Sequence, residues 1–91
     1  MSQQQVVRAT DITFNEGILR IAAIHKKRVR FNYLKGDGKV IEFRYLDPND
    51  VKVINPGEAS EHVTVTGFDP IRQAVRHYRL DRIALDVEIV A

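Results

Sequence analysis

The chain has 91 residues, 14 Lys and Arg against 12 Asp and Glu, a formal charge of +2, and no cysteine. That length suits one domain with one modest core, and the missing cysteines exclude both a disulfide framework and a thiolate metal site. So even a charge balance cannot argue for nucleic acid by itself; local clustering has to carry that case.

The start, MSQQQVVRAT, lacks the basic stretch and apolar run of a signal peptide. No segment approaches the roughly 18 apolar residues of a membrane span. A cytoplasmic protein without a membrane partner is the expectation. Residues 1–10 read as a flexible polar leader, and 11–91 as the domain.

The first predicted element is a helix over 13–27. Thr13 stands three residues before Glu16, the spacing of a capping box. Phe14, Ile18, Ile21, Ala22 and Ile24 share one broad face at helical spacing. Glu16 and Arg20 are set for an i,i+4 pair, while Lys26 and Lys27 suit the dipole of the last turn. His25 falls on the apolar side and is expected to be partly buried.

The period then changes to two. In RVRFNYL, Val29, Phe31 and Tyr33 alternate with Arg28, Arg30 and Asn32. In VIEFRYL, Ile41, Phe43 and Tyr45 alternate with Glu42 and Arg44. The intervening KGDGK is a turn signal, so 28–46 reads as a hairpin. DPND, with Pro48, reads as a break. VKVI, HVTVTGF, VRHYRL and IALDVEIV follow as strands, the last two joined by a turn at Asp81. One helix followed by short strands at turn-rich spacing predicts a small closed or nearly closed antiparallel barrel.

Catalytic chemistry finds little support. Ser2 and Ser60 lie in loop-like segments without a nucleophile-elbow context. His25, His62 and His77 show no metal-ligand spacing, and KGDGK lacks the GK[ST] of a phosphate loop. The reading is a non-enzyme without metal or cofactor.

Two basic clusters remain. HKKRVR, from His25 to Arg30, fits either a solvated face or contact with an anion. VRHYRLDRI, residues 75–83, sets Arg76 and Tyr78 on one strand face and Val75, His77 and Arg79 on the other. Both faces then carry a cation. A core-facing arginine must be paired or reach a pocket, and the guanidinium fork suits phosphate oxygens. Arg82 has Asp81 and Asp86 as potential partners.

These features in this order resemble the WYL domain family. The helix end Ala23-Ile24, Tyr33, Arg44 with Pro48, and the run Arg76-His77-Tyr78-Arg79-Leu80-Asp81-Arg82-Ile83 match its pattern over about residues 18–90. The positions aligned with the family's eponymous tripeptide are Val63-Thr64-Val65, strand-forming but without its aromatic side chains. The resemblance implies an α+β, mainly β fold: an N-terminal helix before a five-stranded Sm-like barrel. It also implies a regulatory ligand-binding module of bacterial or phage origin, working in transcription or phage defence. The implied basic pocket, for single-stranded nucleic acid or a nucleotide, comprises Tyr33, Arg44, Arg76, Arg79 and Arg82, with His62 beside the altered tripeptide. The chain has no room for a helix-turn-helix, so a separate DNA-binding domain or protein would supply one. MSQQQ favours a standalone module over an excised domain. The alternative is an Sm-like interaction protein that forms homo-oligomers without a specific ligand, an assembly that the width of the helix's apolar face also suggests.

Overall fold

The computed structural model describes residues 3–34 and 40–90, with side chains described over 12–34 and 43–90. The helix α1 spans Gln3–His25 and is followed by strands β1 (Val29–Leu34), β2 (Val40–Ile54), β3 (His62–Asp69), β4 (Ala74–Arg79) and β5 (Ile83–Ile89). A 3-10 turn, Leu80–Arg82, joins β4 to β5. The predicted KGDGK turn lies outside the described residues.

Thr13 lies within α1, so the helix starts ahead of the predicted capping box. It stops where Lys26 turns left-handed (φ 55°) and the Lys27 amide donates to the Ala22 carbonyl at 2.9 Å. That six-to-one bond is a Schellman ending, with lysine where glycine is usual.

The strands form one antiparallel sheet in the order β4-β3-β2-β1-β5. The predicted barrel is overturned: the sheet is open, with β4 and β5 as its edges. The fold is α+β, one helix against a five-stranded sheet. The physical reason is that β4 and β5, consecutive in the chain, do not pair: the turn Leu80–Arg82 does not reverse the chain into a hairpin, so neither edge closes on the other. Along β5, backbone groups are then taken up by the helix. Arg30 faces Glu88 and Asn32 faces Ala84, leaving Phe31 opposite the bulged stretch 85–87, where Leu85 has φ 61°. Asn15 of α1, 1% exposed, fills this irregularity. Its Nδ2 donates to the Leu85 carbonyl at 2.9 Å, and its Oδ1 accepts from the Val87 amide at 2.8 Å. A helix side chain thus does part of a neighbouring strand's work at an edge.

Nor does DPND break the chain. It is continuous with VKVI inside β2, which pairs with β1 through Leu46 and with β3 from Asp47 onward. Proline is tolerated because the ladder is irregular between Pro48 and Asp50. Opposite Pro48 stands Gly67, where an added Cβ would lie 2.8 Å from the Pro48 Cα and strike the Asp47 carbonyl. Only glycine lets the two backbones approach so closely.

The core joins Leu19 and Ala22 of α1 to Val29, Phe31, Leu46, Val51, Val65, Tyr78, Leu80, Ile83 and Val87. The buried helix face is Asn15, Leu19 and Ala22, with Ile18 packed beside it. Phe14, Ile21 and Ile24, expected inside, are exposed, Ile24 by 74%. His25 is exposed as well. The helix carries apolar residues on two sides, and the side that also offers Asn15 is the one that fits the bulged strand. The predicted Glu16–Arg20 pair forms at 2.9 Å, and Arg20 also donates to the Val51 carbonyl at 3.3 Å, tying α1 to β2.

Asn15→Ala would strand one buried donor and one acceptor on β5. It should lower unfolding free energy by about 2–5 kcal/mol, measured by urea denaturation, without changing the wild-type sheet signature in circular dichroism below the transition.

Candidate functional site

The alternation in β2 runs opposite to the sequence expectation. Leu46 is buried and Phe43 is half-exposed, so Arg44, not Phe43, shares the interior face with Leu46. The register explains this: Val29 faces Leu46 and Phe31 faces Arg44, and both β1 residues are buried. Phe43 turns outward, where the Arg30 guanidinium sits 4.9 Å from its ring centroid.

On β4 the interior residue is Tyr78, opposite Val65, and Arg76 follows on the same face opposite Gly67. Three aromatic rings meet edge to face here: Tyr78 lies 5.2 Å from Phe31 and 4.9 Å from Tyr33, and Phe31 lies 6.5 Å from Tyr33. The Tyr33 hydroxyl accepts from the Arg79 amide at 3.2 Å, joining β1 to β4 across the interior. Burial, and next the Asp69 carboxylate, push the Tyr78 hydroxyl above its ordinary pKa, while the cations of Arg44, Arg72 and Arg76 pull it down. Tyr78 thus feels the charges of three guanidiniums and one carboxylate.

Asp69, with 0% exposure, anchors the loop after β3. Its Oδ1 accepts from the amides of Ile71 and Arg72, both at 2.9 Å, and Oδ2 pairs with the Arg72 guanidinium at 3.3 Å. Burial pushes this carboxyl up, but the Arg72 and Ile71 amides and then the Arg72 cation outweigh it, holding the group below the usual carboxylate range.

The six residues expected at the site fall around two centres, joined by the bond from the Arg79 amide to the Tyr33 hydroxyl. Tyr33, Arg44 and Arg76 gather at the aromatic cluster. Arg79, Arg82 and His62 surround Asp81 instead. Arg79 grips Asp81 through two bonds, at 3.1 and 2.7 Å. That hydrogen bonding holds the Asp81 carboxyl below its usual range against the opposing effect of burial, with Arg79, His62 and Arg82 adding favourable charge. The His62 Nδ1 lies 2.8 Å from the Ser60 carbonyl. Arg82 is exposed in the 3-10 turn. Asp81 is therefore the partner of Arg79, not the direct ion-pair partner of Arg82.

Ion pairing sorts the remaining arginines. Arg20, Arg28, Arg30, Arg72 and Arg79 hold Glu16, Asp47, Glu88, Asp69 and Asp81 respectively. Among the described residues, Arg44, Arg76 and Arg82 have no ion pair. The arginines of HKKRVR are thus structural partners: Arg28 holds Asp47 at 2.7 Å and Arg30 holds Glu88 at 2.6 Å.

The sequence reading missed Tyr78, Arg72 and Asp69 as parts of this cluster. Tyr78 stood inside the basic motif, and the Asp-Pro at 69–70 signalled a turn, but neither showed that the turn's carboxylate lies near the phenol. Among the described residues no group of three or more His, Cys, Asp or Glu could hold a metal. Nor is any helix there long and apolar enough to cross a membrane.

The chain belongs to the WYL domain family, whose model matches residues 17–89. No curated protein matches it. The altered tripeptide, Val63-Thr64-Val65, keeps its place in β3: Val65 is fully buried and Val63 packs against the core.

A carboxyl held below its unfolded value contributes stability that is complete above that value, about pH 3.9, and is lost as pH falls through the folded value. Asp69 and Asp81 both act in this sense. Asp69→Asn should therefore lower the melting temperature at pH 7 and flatten its decline below about pH 4, as read by thermal melts across pH 2–7 against wild type.

Proposed function

We propose that the interior cluster of Tyr33, Arg44, Arg76 and Tyr78 binds the phosphate of single-stranded nucleic acid or of a nucleotide. One observation carries the reading. Arg44, half-buried, and Arg76, exposed, lie on the sheet face of Leu46 and Tyr78 without a carboxylate of their own, while five other described arginines are paired. Unpaired guanidiniums beside a buried ring cluster offer planar forks for phosphate oxygens. Tyr33, half-buried at the edge of that cluster, adds an aromatic surface on which a base can stack. Arg82 and His62 extend the positive rim, and Arg79 positions Asp81 and Tyr33 more than it offers itself to a ligand. The chain then acts as a cytoplasmic ligand-sensing module in bacterial or phage regulation, of transcription or phage defence, with any DNA reading supplied by a separate domain or protein.

Arg76→Ala should weaken binding of a short labelled single strand by about 1.5–3 kcal/mol with an unchanged melting temperature. Arg76→Lys should restore only part of the loss. The dependence of affinity on salt should also become shallower, by about 0.7 in log–log slope for each phosphate contact removed. Unchanged affinity, or a large fall in melting temperature, makes Arg76 a structural residue and removes this reading.

A second reading rests on the outer face of α1, where Phe14, Ile21 and Ile24 are exposed together. That apolar stripe favours self-association through the helix. Light scattering at high micromolar concentration should then give about twice the 10.4 kDa chain mass, with reversion to the chain mass in Ile21→Glu.

A further inference from the structure

A groove of about 490 Å³ lies where the end of α1 meets the bend of β2, away from the arginine cluster. Ala23, Pro48, Phe68 and Val75 line it with apolar surface, and Lys26 and Lys27 form one rim. Phe68 and Val75 face each other across β3 and β4, on the side opposite to Tyr78 and Arg76. Both are well exposed for such large side chains.

The charge of the rim has one sign. Asp47 also lines the groove, but Arg28 holds both of its oxygens, at 2.7 and 3.1 Å. Lys26 and Lys27 have no ion pair among the described residues. Lys26 moreover occupies the left-handed position that ends α1, at φ 55°, where glycine or asparagine would sit with less strain.

We propose that this groove binds a small amphipathic anion, an aromatic or medium-chain carboxylate, with its apolar body along Pro48, Phe68 and Val75 and its charge at Lys26 and Lys27. The volume falls in the range of small-molecule sites, about 300–1,000 Å³. Lysine presents a compact charge on a flexible stem, suited to one terminal carboxylate. A nucleic-acid strand would instead require cations spaced along its phosphates. This groove offers two adjacent lysines at one end of an apolar floor. Bending of β2 at Pro48 also places the groove beside the strand that carries Arg44, so occupancy would stiffen the bend linking the two sites.

The experiment uses the full chain and 8-anilinonaphthalene-1-sulfonate, an anionic aromatic probe whose fluorescence rises in apolar sites. Expected are saturable one-to-one binding, displacement by decanoate but not by decanol, and amide NMR shifts centred on Ala23, Gly67, Phe68 and Val75. The double variant Lys26→Gln/Lys27→Gln and the single variant Phe68→Ser should each weaken the probe at least tenfold. Because these side chains are exposed, melting temperatures should hold, and oligonucleotide affinity should be unchanged. Arg76→Ala should leave probe binding intact, which separates this site from the arginine cluster. Equal displacement by decanol, or indifference to loss of the lysines, overturns the assignment of charge. Shifts centred on Tyr33 and Arg76 would move the probe to the other site and overturn the groove. Displacement by a single-stranded oligonucleotide would give the groove to nucleic acid and overturn it equally.

Discussion

The passage of β2 over Gly67 sets the geometry on which both candidate sites depend. A 15-residue strand pairs with β1 over its first half and with β3 over its second, and the change of partner falls at Leu46–Asp47, immediately before Pro48. Proline contributes no ladder donor, so the irregularity beside it leaves no unmet bond of its own. Across from it, the absence of a Cβ at Gly67 lets the β2 backbone come into contact with β3. Arg44 and Leu46 lie just before this crossing, and Pro48 with Gly67 lines the groove beside Lys26.

Asn15 supplies the second constraint. The bulge opposite Phe31 would leave backbone groups of β5 buried without partners, and an amide side chain, with one donor end and one acceptor end, satisfies both a carbonyl and an N–H. That requirement, more than apolar content, selects the face of α1 that packs. An amphipathic stripe can settle in several rotations at similar cost, but a buried hydrogen-bonding pair fits at only one. Phe14, Ile21 and Ile24 remain outside as a consequence.

Charge pairing makes the functional distinction among arginines that look alike in the sequence. Arg28 meets Asp47 19 residues away, and Arg30 meets Glu88 58 residues away. With those carboxylates engaged, and with Asp69 and Asp81 held by Arg72 and Arg79, Arg44 and Arg76 are left without an ion pair among the described residues. A paired guanidinium offers a ligand little, because the ligand must first displace a carboxylate. An unpaired one has no carboxylate to give up.

The sequence alone determined the order of elements: a helix, then strands of period two, with turns at Asp69-Pro70 and Leu80-Asp81-Arg82, though not at Asp47-Pro48. Such patterns arise from neighbours a few residues apart, which is why Val29 with Phe31, and Glu16 with Arg20, behave as their spacing required. The motif from Arg76 to Ile83 likewise carried the family identity in local order. Only the tertiary structure decided that Arg44 faces inward and Phe43 outward, that the sheet stays open, and that Arg79 grips Asp81 while Arg44 and Arg76 have no ion pair among the described residues. The facing of β2 turned on its pairing register with β1. A shift of one residue in pairing exchanges the two faces of a strand, and its cause lies in a partner strand or helix distant in the chain, beyond the reach of local periodicity.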